Sequence, residues 1–127
     1  MNRATIHTDN APAAIGTYSQ AIRVGSLVFI SGQIPLEPAT MDIDAGDFRA
    51  RARPVFDNLQ AIAAAAGGSL NDAVKLTIFL TDLDNFAEVN EVMAEYCDEP
   101  YPARAAVQVA ALPKGVDVEA DAILAIE

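Results

Sequence analysis

The chain has 127 residues, 52% of them hydrophobic and 20% charged, with 8 basic and 18 acidic side chains and a formal net charge of −10. This is the composition of a globular rather than a disordered protein, and the length predicts one domain covering residues 1–127. Binding to nucleic acid or to an anionic membrane surface needs clustered Lys and Arg, so the acidic balance argues against both kinds of partner.

Two short β-strands are predicted first. Residues 19–24 alternate in character, and residues 27–31 form a short apolar run, both of which are typical of strands. Gly25 and Ser26 between them form a turn sequence, so we expect a hairpin. Prolines then interrupt the pattern, and residues 39–46 are predicted to form a polar loop.

A long helix is predicted after this loop. Asp47 is a typical N-cap residue, and apolar residues recur with the 3.6-residue period between positions 48 and 66. Pro54 lies inside the pattern, so the helix either begins near Arg53 or is kinked at the proline. The glycine pair at 67–68 is a typical helix end.

A buried strand and a second helix follow. Residues 73–81 are rich in β-branched and aromatic side chains, which favours a strand over a helix. The second helix is predicted from Asn85 to Cys97, with Asp82 or Asp84 as its cap. The apolar stripe of this helix consists of Phe86, Val89, Met93, Tyr96 and Cys97.

Two last strands are predicted at 103–109 and 118–126, and the turn-rich link at 112–115 suits an antiparallel hairpin. The order of elements favours an α+β fold, with two helices on one face of a mixed sheet. The opposite face of such a sheet also carries apolar residues. We therefore expect it to be covered by self-association into a closed symmetric oligomer.

Cysteine and histidine each occur once, as Cys97 and His7. An internal disulfide, a zinc or iron–sulfur site and a serine–histidine–aspartate triad are therefore not expected. The start of the chain lacks the apolar segment of a secretory signal, and the free thiol suits a reducing compartment, so we expect a cytoplasmic protein. The longest apolar run, 61–66, is too short to span a bilayer.

Several polar residues break the hydrophobic pattern. They are Arg104 at the start of an apolar strand, Glu119 and Asp121 in the last strand, Asn90 on the second helix's stripe and Ser31-Gly32 at a strand end. Taken singly, each has a structural explanation, such as a surface ion pair, a helix–loop hydrogen bond or a strand end. Tyr18 is similarly explained as a core or interface aromatic. Composition and spacing alone leave the function open.

Five motifs nevertheless stand in a specific order. They are Gly16-Thr17-Tyr18-Ser19-Gln20-Ala21, Ser31-Gly32-Gln33-Ile34-Pro35, Phe86-Ala87-Glu88-Val89-Asn90, Pro102-Ala103-Arg104 and Leu112-Pro113-Lys114-Gly115. Together they resemble the RidA/YjgF family of enamine and imine deaminases, from about Ala11 to the C-terminus. The resemblance implies a chorismate-mutase-like α+β fold and a homotrimer with a barrel-like core, whose sites lie in clefts between subunits.

The resemblance also implies a reaction and a site. The substrates would be imines and enamines of 2-keto acids, such as 2-aminoacrylate and 2-iminobutyrate, hydrolysed to a 2-keto acid and ammonia without metal or cofactor. Arg104 would bind the substrate carboxylate, Glu119 would position water and move protons, and Tyr18 would cover the substrate. The residues implied to shape the pocket are Ser31, Gly32, Asn90 and Ala106.

Two positions depart from the family pattern. Thr17 stands where many relatives have proline, so the Tyr18 loop is expected to be less rigid. Ala106 stands where a cysteine is frequent, so no thiol acts at that position. Cys97 does not match the family cysteine and is interpreted as a core residue. We expect activity to survive, with an altered preference for substrate size.

Two other functions compete with the deaminase. The same clefts could bind a keto acid or another small carboxylate and regulate a partner without turnover. Ribonuclease or translation-inhibitor activity is an older label of the family. It ranks last because the sequence has no histidine pair and no basic stripe to attract RNA.

Overall fold

Strands and helices alternate along residues 2–127, which are the residues described by the computed structural model. The strands in this range are β1 (Ala4–Ile6), β2 (Ala21–Val24), β3 (Leu27–Gln33), β4 (Ala73–Leu80), β5 (Ala103–Gln108) and β6 (Val118–Ala125). The α-helices are α1 (Phe48–Ala65) and α2 (Phe86–Ala94). The predicted α+β class is confirmed. The sequence interpretation missed β1, because three residues are too few to show a period.

The strands form one mixed sheet in the order β1-β2-β3-β6-β4-β5. The predicted β2–β3 hairpin is confirmed, with Val24 opposite Leu27. The predicted hairpin of the last two strands is wrong. β5 runs parallel to β4, and β6 runs antiparallel to both β3 and β4. Since parallel strands need a crossover, α2 connects β4 to β5, and the link at 112–115 carries the chain across β4 to the centre of the sheet.

Helix α1 begins where the sequence indicates. The Asp47 side chain accepts a hydrogen bond from the Ala50 backbone N at 2.9 Å, which confirms Asp47 as the N-cap. The helix runs through Pro54, so a start near Arg53 is ruled out. It ends as predicted, because Gly67 adopts a left-handed conformation with φ 92° and the Gly68 N donates to the Ala63 carbonyl at 3.0 Å.

Helix α2 is shorter than predicted. It ends at Ala94 rather than at Cys97, because the chain tightens there: the backbone N of Tyr96 and that of Cys97 both donate to the Met93 carbonyl. The predicted cap of α2 is wrong: α2 begins at Phe86 without a side-chain cap, and Asp82 instead caps the short 3₁₀ turn Leu83–Asn85 that precedes it. Cys97 is buried, as predicted for a core residue. Among residues 2–127, no helix is both long and apolar enough to cross a membrane.

The two faces of the sheet are clearest along β6. Val118, Ala120, Ala122 and Leu124 are buried in the core that the sheet forms with the helices. Glu119, Asp121 and Ile123 alternate with them and are only partly buried on the other face. Phe29, which pairs with Ile123, is 43% exposed on this second face. The sheet therefore has the uncovered, partly apolar face that the sequence predicted, while the trimer that would cover it stays a prediction.

Candidate functional site

One cavity of about 440 Å³ lies where β3 ends and β6 begins. Four of the seven predicted site residues line it, namely Tyr18, Ser31, Gly32 and Glu119. The antiparallel pairing of β3 with β6 explains this arrangement. The register between the two strands shifts between Ile30 and Gln33, so Ser31 and Gly32 lie in an irregular stretch beside the start of β6.

Glu119 and Gly32 are in close contact within this cavity. A methyl group placed on Gly32 would lie 3.0 Å from Glu119 Cδ and 3.3 Å from Cγ, so only glycine leaves the carboxyl group its position. Burial raises the pKa of Glu119, and the nearby carboxylate of Asp121 raises it further. A half-buried carboxyl group whose pKa is shifted toward neutrality is suited to acid–base chemistry.

The loop that carries Tyr18 is fixed by hydrogen bonds from both sides. Buried Gln20 donates from Nε2 to the Pro12 carbonyl at 2.9 Å, and Ser31 Oγ donates to the Ser19 carbonyl at 2.5 Å. The Tyr18 hydroxyl accepts from the Ile15 backbone N at 3.4 Å, while the side chain stays half exposed. The hydroxyl of Ser31 therefore stabilises the loop that carries Tyr18, and the Tyr18 side chain remains accessible at the wall of the cavity.

Arg104 belongs to a second cavity, of about 300 Å³, on the other side of the sheet. Its Nη1 donates to Asn90 Oδ1 at 2.6 Å, and the Met93 Sδ lies 3.7 Å from the same nitrogen. The guanidinium carbon lies 5.0 Å from the centre of the Phe86 ring, which is a cation–π contact. Helix α2 therefore holds Arg104 in a defined position although its side chain is exposed.

The predicted site residues thus form two groups in one chain. Arg104 pairs with buried Leu76 across β5 and β4, whereas Glu119 pairs with Phe79 across β6 and β4. Leu76 and Phe79 point to opposite faces because they are three positions apart on one strand. Arg104 and Asn90 are therefore separated by the sheet from Glu119 and its cavity.

Ala106 is on the same face as Arg104. It pairs with Ile78 of β4 and packs, partly buried, against the hydrophobic core. It lines neither of the two cavities described above. A methyl side chain in this position has no acid–base or nucleophilic capacity.

Several residues near Arg104 and Glu119 were not predicted to be site residues. Phe86 and Met93 contact Arg104, and their spacing with Asn90 (positions 86, 90 and 93 of one helical stripe) is the signal that could have found them. Met41 and Lys114 line the cavity of Glu119 from two loops. Because loop residues follow no hydrophobic period, no pattern in the sequence indicates that Met41 and Lys114 lie at the same cavity.

The described residues 2–127 contain no group of three or more His, Cys, Asp or Glu side chains arranged to hold a metal ion. His7 is exposed, with Nε2 3.1 Å from Asp9 Oδ1 near the N-terminus. Burial raises the pKa of the Cys97 thiol, with a smaller contribution from Asp98, so this thiol is a weak nucleophile.

Known proteins are similar to this chain in sequence and in fold. The family model described as Endoribonuclease L-PSP matches residues 8–126. RidA from the Antarctic bacterium Psychrobacter, as a solved structure, is 60% identical with a TM-score of 0.93, over 97% of this chain and 99% of that chain. Protein DfrA of Myxococcus xanthus is 55% identical over 125 residues, which cover 97% of this chain and 95% of DfrA.

Escherichia coli TdcF, a reactive intermediate deaminase by name, is 50% identical over 121 residues, covering 93% of each chain. Its solved structure with bound serine has a TM-score of 0.90 and 45% identity, over 98% of this chain and 99% of that chain. The chain belongs to the RidA/YjgF family, and the resemblance drawn from its five motifs is confirmed.

Proposed function

We propose that the chain is a cofactor-independent deaminase of reactive imines and enamines. Its substrates would be of the 2-iminobutanoate and 2-iminopropanoate type, and its products a 2-keto acid and ammonia. The observation that carries the proposal is the presence of two complementary half-sites. One is a fixed, exposed guanidinium at Arg104, and the other is a half-buried carboxyl group at Glu119 inside a cavity.

The complete site would form between neighbouring copies of the chain. Arg104 and Glu119 are on opposite faces of the sheet, so they cannot both contact one small substrate within a single chain. A closed ring of copies would cover the exposed apolar side chains of the second face and bring each arginine to a neighbour's cavity. A homotrimer is the assembly that the family resemblance implies.

Arg104 would anchor the substrate by its carboxylate. A planar guanidinium can form two parallel hydrogen bonds to a carboxylate, and Asn90 occupies only one side of this one. The net charge of −10 gives an anionic substrate no attraction at long range. Its capture therefore depends on this local positive charge.

Glu119 would move the protons of the hydrolysis. As a carboxylate it accepts a proton from the water that attacks the imine carbon and passes this proton to the imine nitrogen, which completes a neutral carbinolamine. It then takes the hydroxyl proton of the carbinolamine and gives it to the nitrogen, so that the carbon–nitrogen bond breaks, ammonia leaves and the carbonyl forms. The balance is one imine and one water giving one keto acid and one ammonia. Because imines hydrolyse readily in water, orientation and proton transfer are sufficient catalysis.

Binding of a small carboxylate without turnover is the second candidate function. It is favoured by the relative TdcF, whose solved structure has bound serine, an amino acid with a free carboxylate. The same two half-sites would hold such a ligand. The two functions differ only in whether the imine is consumed.

Ribonuclease activity is not proposed, although the family description contains the word endoribonuclease. Three of the arginines, Arg49, Arg51 and Arg53, are paired with carboxylates of the chain itself. With 18 acidic residues against 8 basic ones, no basic stripe is left to bind a phosphate backbone.

The test supplies the imine enzymatically. A pyridoxal-phosphate dehydratase acting on serine or threonine releases 2-aminoacrylate or 2-iminobutyrate, and keto-acid formation is followed with and without the protein. We expect the wild type to accelerate it, Arg104→Ala to lose nearly all of the acceleration and Arg53→Ala, a matched surface arginine, to keep it. No acceleration with any imine, combined with calorimetric binding of 2-ketobutyrate, would support the binding function instead. Acceleration that persists in Arg104→Ala would overturn the site assignment.

A further inference from the structure

Arginine occurs at three alternate positions of α1, and the three side chains bind different parts of the chain. Arg49 and Arg53 are four positions apart, so they project from one side of the helix and pair with carboxylates on α2 and directly after it. Arg51 projects from the opposite side, because a helix turns by about 100° per residue. It pairs with Asp117, the residue before β6. Of these three ion pairs, the one made by Arg51 reaches the strand that carries the proposed acid–base residue.

The pair of Arg51 with Asp117 uses the whole guanidinium group. Arg51 Nε donates to Asp117 Oδ1 at 3.1 Å and Nη2 donates to Oδ2 at 2.7 Å, while Nη1 donates to the Gly46 carbonyl. Two parallel bonds fix the direction of a carboxylate as well as its distance. The two side chains are 27% and 26% exposed, against 44% and 43% for the pair of Arg53 with Glu95, so water screens the Arg51 pair less.

One side of α1 also holds the loop that follows β3. Arg51 binds the last residue of this loop, Gly46, and Asn58 binds Leu36 near its beginning. Asn58 is buried, and its Nδ2 donates to the Leu36 carbonyl at 3.0 Å. Arg51 and Asn58 are seven positions apart, which places them on the same side of the helix. Since Leu36 lines the cavity around Glu119, this side of α1 supports one wall of that cavity.

The position of Glu119 depends on Asp117, two residues before it. The pairing of β6 with β3 does not reach Glu119, which pairs with Phe79 on the β4 side. Residues near the end of a strand open more easily than those at its centre, because fewer neighbours hold them. The Thr81 N donates to the Asp117 carbonyl at 3.3 Å, which is long for a hydrogen bond. The two bonds from Arg51 are therefore the stronger connection at this end of β6.

We infer that Arg51 is a positioning residue for Glu119: by binding Asp117 it fixes the start of β6 against α1 and thereby the carboxyl group that moves the protons. Arg51 itself does not line the cavity. The inference rests on the proposed function and adds a residue to its mechanism. Because the substrate would be bound by Arg104 from a neighbouring copy, its distance from Glu119 depends on how rigidly each chain holds its own half-site. A displacement of about 1 Å can cost roughly 100-fold in rate.

Steady-state kinetics of Arg51→Met test the positioning role. The variant keeps a long apolar side chain on α1 but cannot bind Asp117. We expect kcat for imine hydrolysis to fall about tenfold. KM should stay within about twofold of the wild-type value, because Arg104, which would bind the carboxylate, is held by α2 and not by Arg51. Varying the rate at which the dehydratase supplies the imine separates kcat from KM.

A second variant and the double variant test the pair itself. Asp117→Asn should lower kcat as Arg51→Met does. The double variant should be no worse than either single variant, since all three lose the same interaction. Arg51→Lys keeps the charge but cannot form both bonds to Asp117, so its kcat should lie between those of Arg51→Met and the wild type.

Arg53→Met is the matched control. It removes an arginine of the same helix that also forms two bonds to one carboxylate, that of Glu95, at 3.1 and 3.2 Å. Its kcat should stay within about twofold of the wild-type value, because Glu95 lies next to α2 rather than β6. Circular dichroism and sedimentation at the assay temperature check that the variants are folded and equally assembled. If Arg51→Met does not fold, Arg51→Lys and Asp117→Asn decide by the same criteria.

The other outcomes have distinct meanings. A wild-type kcat in Arg51→Met and Asp117→Asn would show that the pair only stabilises the fold, and an equal loss of kcat in Arg53→Met would show a general loosening of α1. Either result overturns the positioning role, and so does a double variant whose loss is the product of the two single losses. If the wild type accelerates no imine, the proposed function fails and the positioning role fails with it. If the wild type is active and Glu119→Gln is not, but Arg51→Met keeps the wild-type kcat, only the positioning role fails.

Discussion

Arg104 and Glu119, fifteen positions apart in the chain, lie on opposite faces of one sheet with β4 between their strands. Arg104 pairs with Leu76 on the face that packs against the helices, and Glu119 pairs with Phe79 on the uncovered face. Each side chain nevertheless has a defined position. Arg104 is held by contacts with α2, and Glu119 occupies the space that Gly32 leaves because it has no side chain. This separation makes assembly part of the proposed mechanism.

Gly32→Ala should inactivate the enzyme while preserving the fold. The new methyl group would displace the Glu119 carboxyl group, whose Cδ would be only 3.0 Å away. We expect a loss of 100-fold or more in kcat, on the order of the effect of losing a positioned acid–base group. The dehydratase-coupled assay measures the loss, and circular dichroism checks the fold. A fully active Gly32→Ala variant would contradict the role of the Glu119 position.

Asn90→Ala should weaken substrate binding more than chemistry. Without its Oδ1 acceptor, Arg104 would keep its contacts with Phe86 and Met93 but lose its fixed direction. We expect KM to rise by roughly three- to tenfold with kcat nearly unchanged, because the carboxylate is bound equally before and during the reaction. Glu88→Ala on the same helix is the control. A fall in kcat at unchanged KM would point to a direct catalytic role for Asn90.

Asp121→Asn should stabilise the protein at neutral pH. Burial raises the pKa of Asp121, and Thr77 and Lys75 oppose the shift without reversing it. The folded state therefore binds the proton more tightly than the unfolded chain, and stability falls as the pH rises through the folded-state pKa. After solvent screening, the gain at pH 7 should be on the order of 0.5 kcal/mol.

Urea unfolding at pH 7 and at pH 3.5, at one protein concentration, measures this gain. It should shrink at the lower pH, where Asp121 is largely protonated in both states. Asp42→Asn, at an exposed position, should show no such change. An equal gain for Asp121→Asn at both pH values would show that titration of Asp121 is not its source.

Asp47→Ala should destabilise the fold by about 1 kcal/mol, because the Ala50 N loses its capping acceptor. Asp47→Asn keeps an acceptor oxygen in the same place and should be close to the wild type. The midpoint of urea unfolding distinguishes the two variants. Equal destabilisation by both would mean that the carboxylate charge, rather than the cap, stabilises α1.

The sequence was sufficient for elements defined by local physics. The cap at Asp47, the end of α1 at Gly67 and the β2–β3 turn depend on residues close together in the chain, and all three were predicted. The pairing of β5 and β6 was not predicted correctly. A turn-rich link looks the same whether the chain folds back on the previous strand or crosses over its neighbour.

The candidate site shows the same limit. The motifs singled out its residues, but their division into two cavities depends on β6 lying between β3 and β4. Met41 and Lys114 reach the cavity from separate loops, and the pair of Arg51 with Asp117 joins residues 66 positions apart. Contacts between segments that are distant in the chain depend on the strand order of the whole sheet, and a local hydrophobic period does not predict that order.

Mixing two inactive variants tests the central claim most directly. Arg104→Ala and Glu119→Gln chains are unfolded together in equal amounts and refolded, and imine hydrolysis is compared with that of each variant refolded alone. If each site takes Arg104 from one copy and Glu119 from its neighbour, random trimers will contain about one quarter intact sites and recover about one quarter of wild-type activity. If mixed assemblies form but show no more activity than the separate variants, the site between subunits is contradicted.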